Sequence, residues 1–342
     1  MVGVVKAVAV TAPGQARVLD VQEPAPSPPE VLIGVGRVGL CGSDLTTFLG
    51  KNPMVSYPRV LGHEVSGTIL RTGAEVPDSW KVGMQVTFTP YTACGACPSC
   101  RAGRRNACRD NQTMGVQRDG ALAELAVVPH QKLYAAPRLS LEELALVEPF
   151  SVGFHAAARA RIAAADTVLV MGCGGVGLGA VAGAASRGAR VIALDTVDGK
   201  LSLAKVVGAS HLVNAGTGDA RRAVMELTGG DGPDVVIEAV GAATTYRQAV
   251  DWVAFCGRVV YIGYGKEPVS YETRLFVMKE LDILGARNCL AEFPEVIAFF
   301  ERKLFDPRVL ISREVALVDV PEALAAWASD PGTTSKIMVK VS

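Results

Sequence analysis

Four cysteines fall within fifteen residues, Cys94, Cys97, Cys100 and Cys108, in the segment CGACPSCRAGRRNAC. The spacing C-x2-C-x2-C-x7-C lets one short lobe close a tetrahedral thiolate cage around Zn²⁺, with sulfurs about 2.3 Å from the ion. Four thiolates occupy every coordination position, so such a site is structural, and any metal chemistry must come from elsewhere in the chain. A second set of donors is scattered. Cys41 lies in Gly39-Leu40-Cys41-Gly42-Ser43-Asp44, His63 and Glu64 in Leu61-Gly62-His63-Glu64, and Glu148 in Val147-Glu148-Pro149-Phe150. Thiolate, imidazole and carboxylate together make a three-ligand set whose fourth position stays open for water or a substrate oxygen. Each residue alone carries little weight. The chain has only four histidines, and His130, His155 and His211 sit in segments without such neighbours. His155 reads as a helix residue of the domain junction, the other two as ordinary surface or core positions.

A third chemistry follows a predicted strand at Thr167–Met171. Gly172-Cys173-Gly174-Gly175-Val176-Gly177 is a G-x-G-x-x-G at a strand-to-helix turn. Its glycines permit the tight turn, the approach of backbone to a pyrophosphate, and close packing of helix on strand. The helix N-terminal amides then face the phosphates. Asp195 ends the next predicted strand, 18 residues past Gly177, where a carboxylate can bind both ribose hydroxyls. The same charge repels a 2′-phosphate, and no Arg follows within the next few residues, so NAD is expected over NADP. Asp195 can also serve as a cap for a helix starting near Val197. Lys200 and Asn288 are further candidate cofactor contacts, and Cys173 is given no role.

These groups need a scaffold. With 342 residues, 49% hydrophobic and 20% charged, the chain can bury a large core, and two domains are expected. Residues 1 to about 150 read as β-rich, with Val-rich runs at Val31–Val38, Val65–Leu70, Met84–Thr89 and Leu122–Val128 broken by Pro and Gly. From about 151 to 286 strands alternate with Ala-rich helices: Thr167–Met171, helix Gly175–Ser186, then strands Arg190–Asp195, Val235–Glu238, Val259–Ile262 and Leu281–Leu284. That alternation predicts a doubly wound parallel sheet. Beyond Arg287, helices are expected at Phe293–Arg302 and Pro321–Ala328 and a closing strand at Lys336–Val341. Lys+Arg and Asp+Glu are both 34, which offers no general attraction to nucleic acid or an anionic membrane. No apolar run approaches about 18 residues, so no membrane span is expected. The opening MVGVVKAVAVTAPG lacks a basic n-region and a small-residue cleavage site and reads as a first β-strand. Clustered cysteines suit metal better than disulfides, and Cys41, Cys173, Cys256 and Cys289 stand singly, which fits a reducing cytoplasm.

Taken in order, Cys41-Gly42-Ser43-Asp44, Gly62-His63-Glu64, the four-cysteine lobe and the Gly172–Gly177 loop resemble the zinc-dependent medium-chain dehydrogenases, the superfamily of zinc alcohol dehydrogenases. The resemblance spans essentially the whole chain. It implies an α/β protein with a GroES-like β-rich catalytic domain (1–150 with 287–342) and an inserted Rossmann domain (151–286). It implies two zinc ions per chain, NAD, and assembly as a homodimer or homotetramer through the nucleotide domains. Cys41 and His63 are implied ligands of the catalytic zinc, and Glu64 and Glu148 share the remaining ligand role. Glu148-Pro149-Phe150-Ser151-Val152-Gly153 is similar to the polyol and sugar-acid branch, so Glu148 is expected as the resting ligand, with Glu64 able to swing in. Pro149 is expected to turn Glu148 away from helical geometry. The implied reaction oxidises a secondary alcohol to a ketone, with hydride passing to C4 of NAD⁺ and the metal acting as Lewis acid within reach of the nicotinamide.

Ser43 resembles the family hydroxyl that takes the alcohol proton, although a Ser there can equally make a turn hydrogen bond, and Asp44 can be a helix cap. Thr46 stands where many relatives carry a relay His, and a hydroxyl cannot hold a charge near pH 7. Water or the ribose hydroxyls are alternative exits. Segments Asn52–Arg59 and Val116–Gly120 look similar to sugar-acid dehydrogenases of the idonate, gulonate and galactonate kind. Arg118, Arg287 and Lys51 are candidates to pair with a substrate carboxylate, Arg for its bidentate fork. Arg287 is favoured because Arg287-Asn288 follows the last predicted strand. Each could equally sit in a surface ion pair. Aromatic residues make up 6%, which argues mildly against a pocket for bulky aromatic alcohols. Rival readings are a threonine-type enzyme, a chain that binds NAD without catalysis, and a zinc-ribbon nucleic-acid binder using Arg101, Arg104, Arg105 and Arg109. Zero net charge and a lobe without aromatics for base stacking count against the last.

Overall fold

The computed structural model describes residues 3–265, 267–332 and 334–342. The chain divides into two compact units, Met1–Glu148 with Phe300–Ser342, and Pro149–Phe299. The second boundary falls thirteen residues beyond the 286/287 expected from sequence. The reason is packing: helix Phe293–Glu301 buries Phe293 and Val296, and Phe299 packs edge-on against Phe154 with ring centroids 5.5 Å apart.

The first unit is built on Glu30–Leu40, an eleven-residue strand buried at eight positions and half-buried at the other three. Such a strand must be central, because its backbone groups can be satisfied on both sides only by neighbouring strands. Glu64–Thr72 pairs with it antiparallel on one side, with Gly39 opposite Glu64. On the other side Ile337–Lys340 pairs antiparallel, with Ile337 opposite Leu40. The full path runs Arg313–Ala316, Ile337–Lys340, Glu30–Leu40, Glu64–Thr72, Gln85–Phe88, Leu133–Ala135, and Leu125–Pro129 also pairs with Glu30–Leu40. A three-stranded sheet of Gln15–Gln22, Val4–Ala12 and Arg59–Val60 completes the unit. Val8, Ile33, Leu61, Val65, Phe88 and Leu122 are among the fully buried residues that join the two sheets in one core. This register sets one end of three adjacent strands side by side: Leu40 closes the central strand, Glu64 opens its neighbour, and Lys336 directly precedes the closing strand.

The second unit is a six-stranded sheet, parallel throughout. Its order is His211–Asn214, Arg190–Asp195, Thr167–Met171, Val235–Glu238, Arg258–Tyr261, Asp282–Gly285. Numbered along the chain this is 3-2-1-4-5-6, the dinucleotide-binding order, with the switch point between Thr167–Met171 and Val235–Glu238. The strand His211–Asn214 is not among those expected from the sequence. Only four residues long, with a His and an Asn at its ends, it has none of the Val-rich signal of its neighbours. Among the described residues no helix is long and apolar enough to cross a membrane.

Candidate active site and zinc lobe

In the sulfur lobe, helix Pro98–Arg101 and the 3-10 turn Arg105–Ala107 bring Cys97, Cys100 and Cys108 inside, with Cys94 exposed. Ligand atoms of all four lie within 4.8 Å of one another. The Cys97 and Cys108 sulfurs are 3.8 Å apart. That is far beyond a disulfide length of about 2.05 Å, and it is close to the edge of a tetrahedron with arms of about 2.3 Å. Backbone amides already point at the sulfurs: Cys97 N–H donates to Cys94 Sγ and Cys94 N–H to Cys108 Sγ, both at 3.3 Å. The Ser99 hydroxyl and backbone N–H groups hold the Cys97 thiol down to about 5, while burial and its sulfur neighbours push Cys100 up to about 11. Four such thiols lose their protons together only around a cation, so the lobe fits zinc.

The second centre forms where the three strands end. Cys41 caps helix Gly42–Phe48, and its N–H donates to Asp44 Oδ2 at 2.8 Å. Cys41, His63 and Glu64 bring ligand atoms within 4.8 Å of one another. Glu148 is outside that group, yet its charge acts on His63, and it accepts a short hydrogen bond from the Tyr91 hydroxyl. Glu148 occupies the first turn of helix Val147–Arg159, contrary to the expectation that Pro149 would keep it from helical geometry. Proline is tolerated in a first turn, where the missing N–H has no helical partner anyway.

Lys336 joins the same centre. Its ammonium donates to both Glu64 oxygens, at 2.7 and 2.6 Å, and to the Leu40 carbonyl at 3.2 Å, and the pair is buried. A lysine 272 residues from its partner leaves no local signal. Ser43 Oγ is 3.4 Å from His63 Nε2. Asp44 caps the helix and turns its other oxygen to His63 Nδ1 at 3.9 Å; neither of these two buried atoms has a hydrogen-bond partner among the described residues. Burial pulls the His63 pKa down, but Asp44, Cys41 and Glu148 outweigh it and raise the imidazole well above its ordinary value. Burial likewise pushes Glu148 up to about 7. Three buried carboxyl groups, a thiol and an imidazole thus crowd around one lysine, and burial alone disfavours the charged forms of these acids, which a dication would stabilise. The donor set fits a catalytic zinc.

Thr46 Oγ1 donates to the Ser43 carbonyl at 3.0 Å, so its proton is committed to the helix backbone. Arg118 donates to the Pro90 carbonyl at 3.2 Å, and its buried Nε has no hydrogen-bond partner among the described residues. Lys132 beside it donates to the Tyr91 carbonyl, and burial together with the Arg118 charge lowers its pKa to about 8. Both cations therefore brace the backbone behind Tyr91. Lys51 is exposed. Arg287 and Asn288 follow strand Asp282–Gly285 in the second unit, Asn288 with φ of 53°. His155, read as a helix residue, pairs with Glu292 at 2.8 Å.

In the dinucleotide loop, Gly172 has φ of +93°, and a Cβ on Gly177 would collide with the Gly172 carbonyl. Gly174 caps helix Gly175–Ala185, and Val176 is half-buried in its first turn. Asp195 Oδ2 accepts from Cys173 N–H at 2.8 Å, and Oδ1 accepts from Thr196 and Val197 N–H at 2.8 and 3.0 Å. Its carboxylate therefore ties the glycine loop to the second strand. Lys200 lies close enough for its charge to act on Cys173.

The alcohol dehydrogenase GroES-like domain matches residues 27–138 and the zinc-binding dehydrogenase domain residues 175–302. L-galactonate-5-dehydrogenase of Escherichia coli K12 is 36% identical over 79% of this chain and 79% of its own. The chain belongs to the zinc-dependent medium-chain dehydrogenases. As a member of that family it is an oxidoreductase using zinc and a nicotinamide cofactor on a small-molecule substrate. Sorbitol dehydrogenase of Bacillus subtilis 168 is 34% identical over 91% of this chain and 90% of its own. A candidate zinc-binding dehydrogenase of Sinorhizobium meliloti 1021, solved bound to NADP, superposes with a TM-score of 0.92 at 31% identity, covering 99% of this chain and all of its own.

Proposed function

We propose that this dehydrogenase oxidises a secondary alcohol of a polyol or sugar acid, an aldonate such as gulonate, galactonate or idonate, to the ketone with NAD⁺. The observation that carries the reading is the mixed donor set at the strand ends beside an independent sulfur cage. Cys41, His63 and Glu148 would hold the catalytic zinc, and Cys94, Cys97, Cys100 and Cys108 a second ion. Glu64 has the nearer carboxylate, but both its oxygens are already bound by Lys336, so Glu148 is the resting donor. Bound zinc supplies Lewis acidity, lowering the pKa of the substrate alcohol. Ser43, whose hydroxyl is 3.4 Å from His63 Nε2, would take the alcohol proton. With Thr46 bonded to backbone, that proton leaves through water or the ribose hydroxyls. Asp44, 3.9 Å from His63 Nδ1, would act on the ring through its charge.

NAD over NADP is supported by the Asp195 carboxylate, held at the loop by three amides, which disfavours a 2′-phosphate. The substrate class is supported by the galactonate and sorbitol enzymes among the relatives. Arg287 remains the proposed carboxylate partner for a sugar acid, whereas Arg118 serves better as a brace for Pro90. A homodimer or homotetramer joined through the dinucleotide units is supported by the outer strand Asp282–Gly285, which ends the parallel sheet with Ile283 exposed and Val277 and Met278 uncovered nearby. Eight unbridged thiols support a cytoplasmic setting.

A screen of NAD⁺ reduction by purified, zinc-replete protein over polyols, aldonates and threonine tests the reading. Turnover confined to polyols or aldonates is expected. Turnover of threonine alone would replace it with the amino-alcohol alternative, and NAD⁺ binding without any turnover would overturn catalysis.

A further inference from the structure

Glu238 ends the fourth strand of the parallel sheet, at the switch point, in register with Met171 on one side and Tyr261 on the other. Its side chain is fully buried. Oε1 accepts from Val240 N–H at 2.9 Å, Gly241 N–H at 2.8 Å and the Thr245 hydroxyl at 2.7 Å. Oε2 is buried with no hydrogen-bond partner among the described residues. Gly263 leaves it room, since a Cβ there would lie 2.7 Å from Oε2. Burial raises the carboxyl pKa, opposed by the same three donors. No cation pairs with it among the described residues, unlike Glu64 with Lys336 or Glu292 with His155.

A buried carboxylate without a counter-ion is costly, and its charge acts over several ångströms because little water screens it. The turn it organises abuts the glycine loop: Ala239 N–H donates to the Met171 carbonyl at 2.9 Å, and a Cβ on Gly172 would meet Val240 at 2.8 Å. In a sheet of order 3-2-1-4-5-6 the dinucleotide spans this crevice. The first strand's loop takes the pyrophosphate and Asp195 the adenosine ribose, which leaves the nicotinamide half over strands four to six. The nicotinamide ring is cationic when oxidised and neutral when reduced.

We propose that the charge of Glu238 discriminates between the two redox forms of the cofactor, favouring the oxidised one. The inference rests on the nicotinamide reading above and assigns one residue to the cofactor's redox state rather than to its anchoring. Three donors on one oxygen hold the turn in place; the other oxygen has neither a donor nor a cation beside it among the described residues.

The test is equilibrium binding of NAD⁺ and NADH to zinc-replete wild type and Glu238→Gln, by calorimetry for NAD⁺ and nucleotide fluorescence for NADH. Gln keeps an acceptor for the turn and removes the charge. The ratio Kd(NAD⁺)/Kd(NADH) should rise at least about fivefold, the order expected of one partly screened unit charge. Equal weakening of both forms would overturn the inference and leave Glu238 as a brace for the turn. Unchanged affinities with a lower Tm would also overturn it, reducing the residue to fold stability. If Glu238→Gln does not fold, Thr245→Val, which removes a donor that favours the charged carboxylate, should move the ratio in the same direction as loss of the charge, away from NAD⁺, and no movement counts against the proposal. Failure of wild type to bind either nucleotide would instead refute the cofactor reading itself.

Discussion

The sulfur lobe and the mixed donor centre lie in the same unit and differ in how far along the chain their parts are drawn. The lobe gathers four donors from fifteen consecutive residues and closes them with its own backbone amides. The mixed centre draws Cys41 and the adjacent pair His63-Glu64 from two separate segments, with Glu148 of a third acting on His63, and adds Lys336 from 272 residues beyond Glu64. A local cage can be complete without the rest of the fold. A centre assembled at strand ends is held by the sheet register, and it can keep a coordination position open because surrounding elements, not a full ligand shell, hold its donors.

Cys41→Ser tests that division most severely. Turnover should fall on the order of a thousandfold, consistent with loss of several kcal/mol of Lewis-acid stabilisation, while metal analysis drops from two zinc ions to one and the fold persists. An unaltered kcat in that variant refutes the site. Lys336→Met should cost stability of about 3 kcal/mol, because Glu64 is left as an uncompensated buried charge. A denaturation midpoint equal to wild type would mean that Glu64 has another partner. For Glu148→Gln, zinc retention or rate should drop by about ten- to a hundredfold; a neutral result hands the ligand role to Glu64. The smallest effect on turnover is expected from Cys100→Ser. One zinc should be lost and the Tm lowered, with kcat per folded molecule within about threefold of wild type, since a closed Cys₄ site does no chemistry. Loss of catalysis in the folded variant would show that the two centres are not separable.

Much of this was readable along the chain. The cysteine spacing, the glycine loop with its acid at the end of the next strand, and the alternation of strands and helices are short-range patterns, and each appears where the residues placed it. What escaped was either weak in signal or remote in sequence. His211–Asn214 lacks a run of β-branched residues, and the helix Phe293–Glu301 carries the domain boundary through packing that periodicity cannot assign. Arg118 looked like a substrate ligand because Arg suits carboxylates, whereas its guanidinium faces the carbonyl of Pro90.

Residue types and spacings therefore set the kinds of chemistry proposed: a closed thiolate cage, a three-donor metal set and a dinucleotide loop. Which carboxylate is tied up by Lys336, which oxygen of Glu238 stays bare, and where the hydroxyl of Thr46 spends its proton were decided only by the folded chain. The physical reason is that coordination and loop chemistry depend on neighbours a few residues apart, while charge compensation and burial depend on groups that strand pairing brings together from hundreds of residues away.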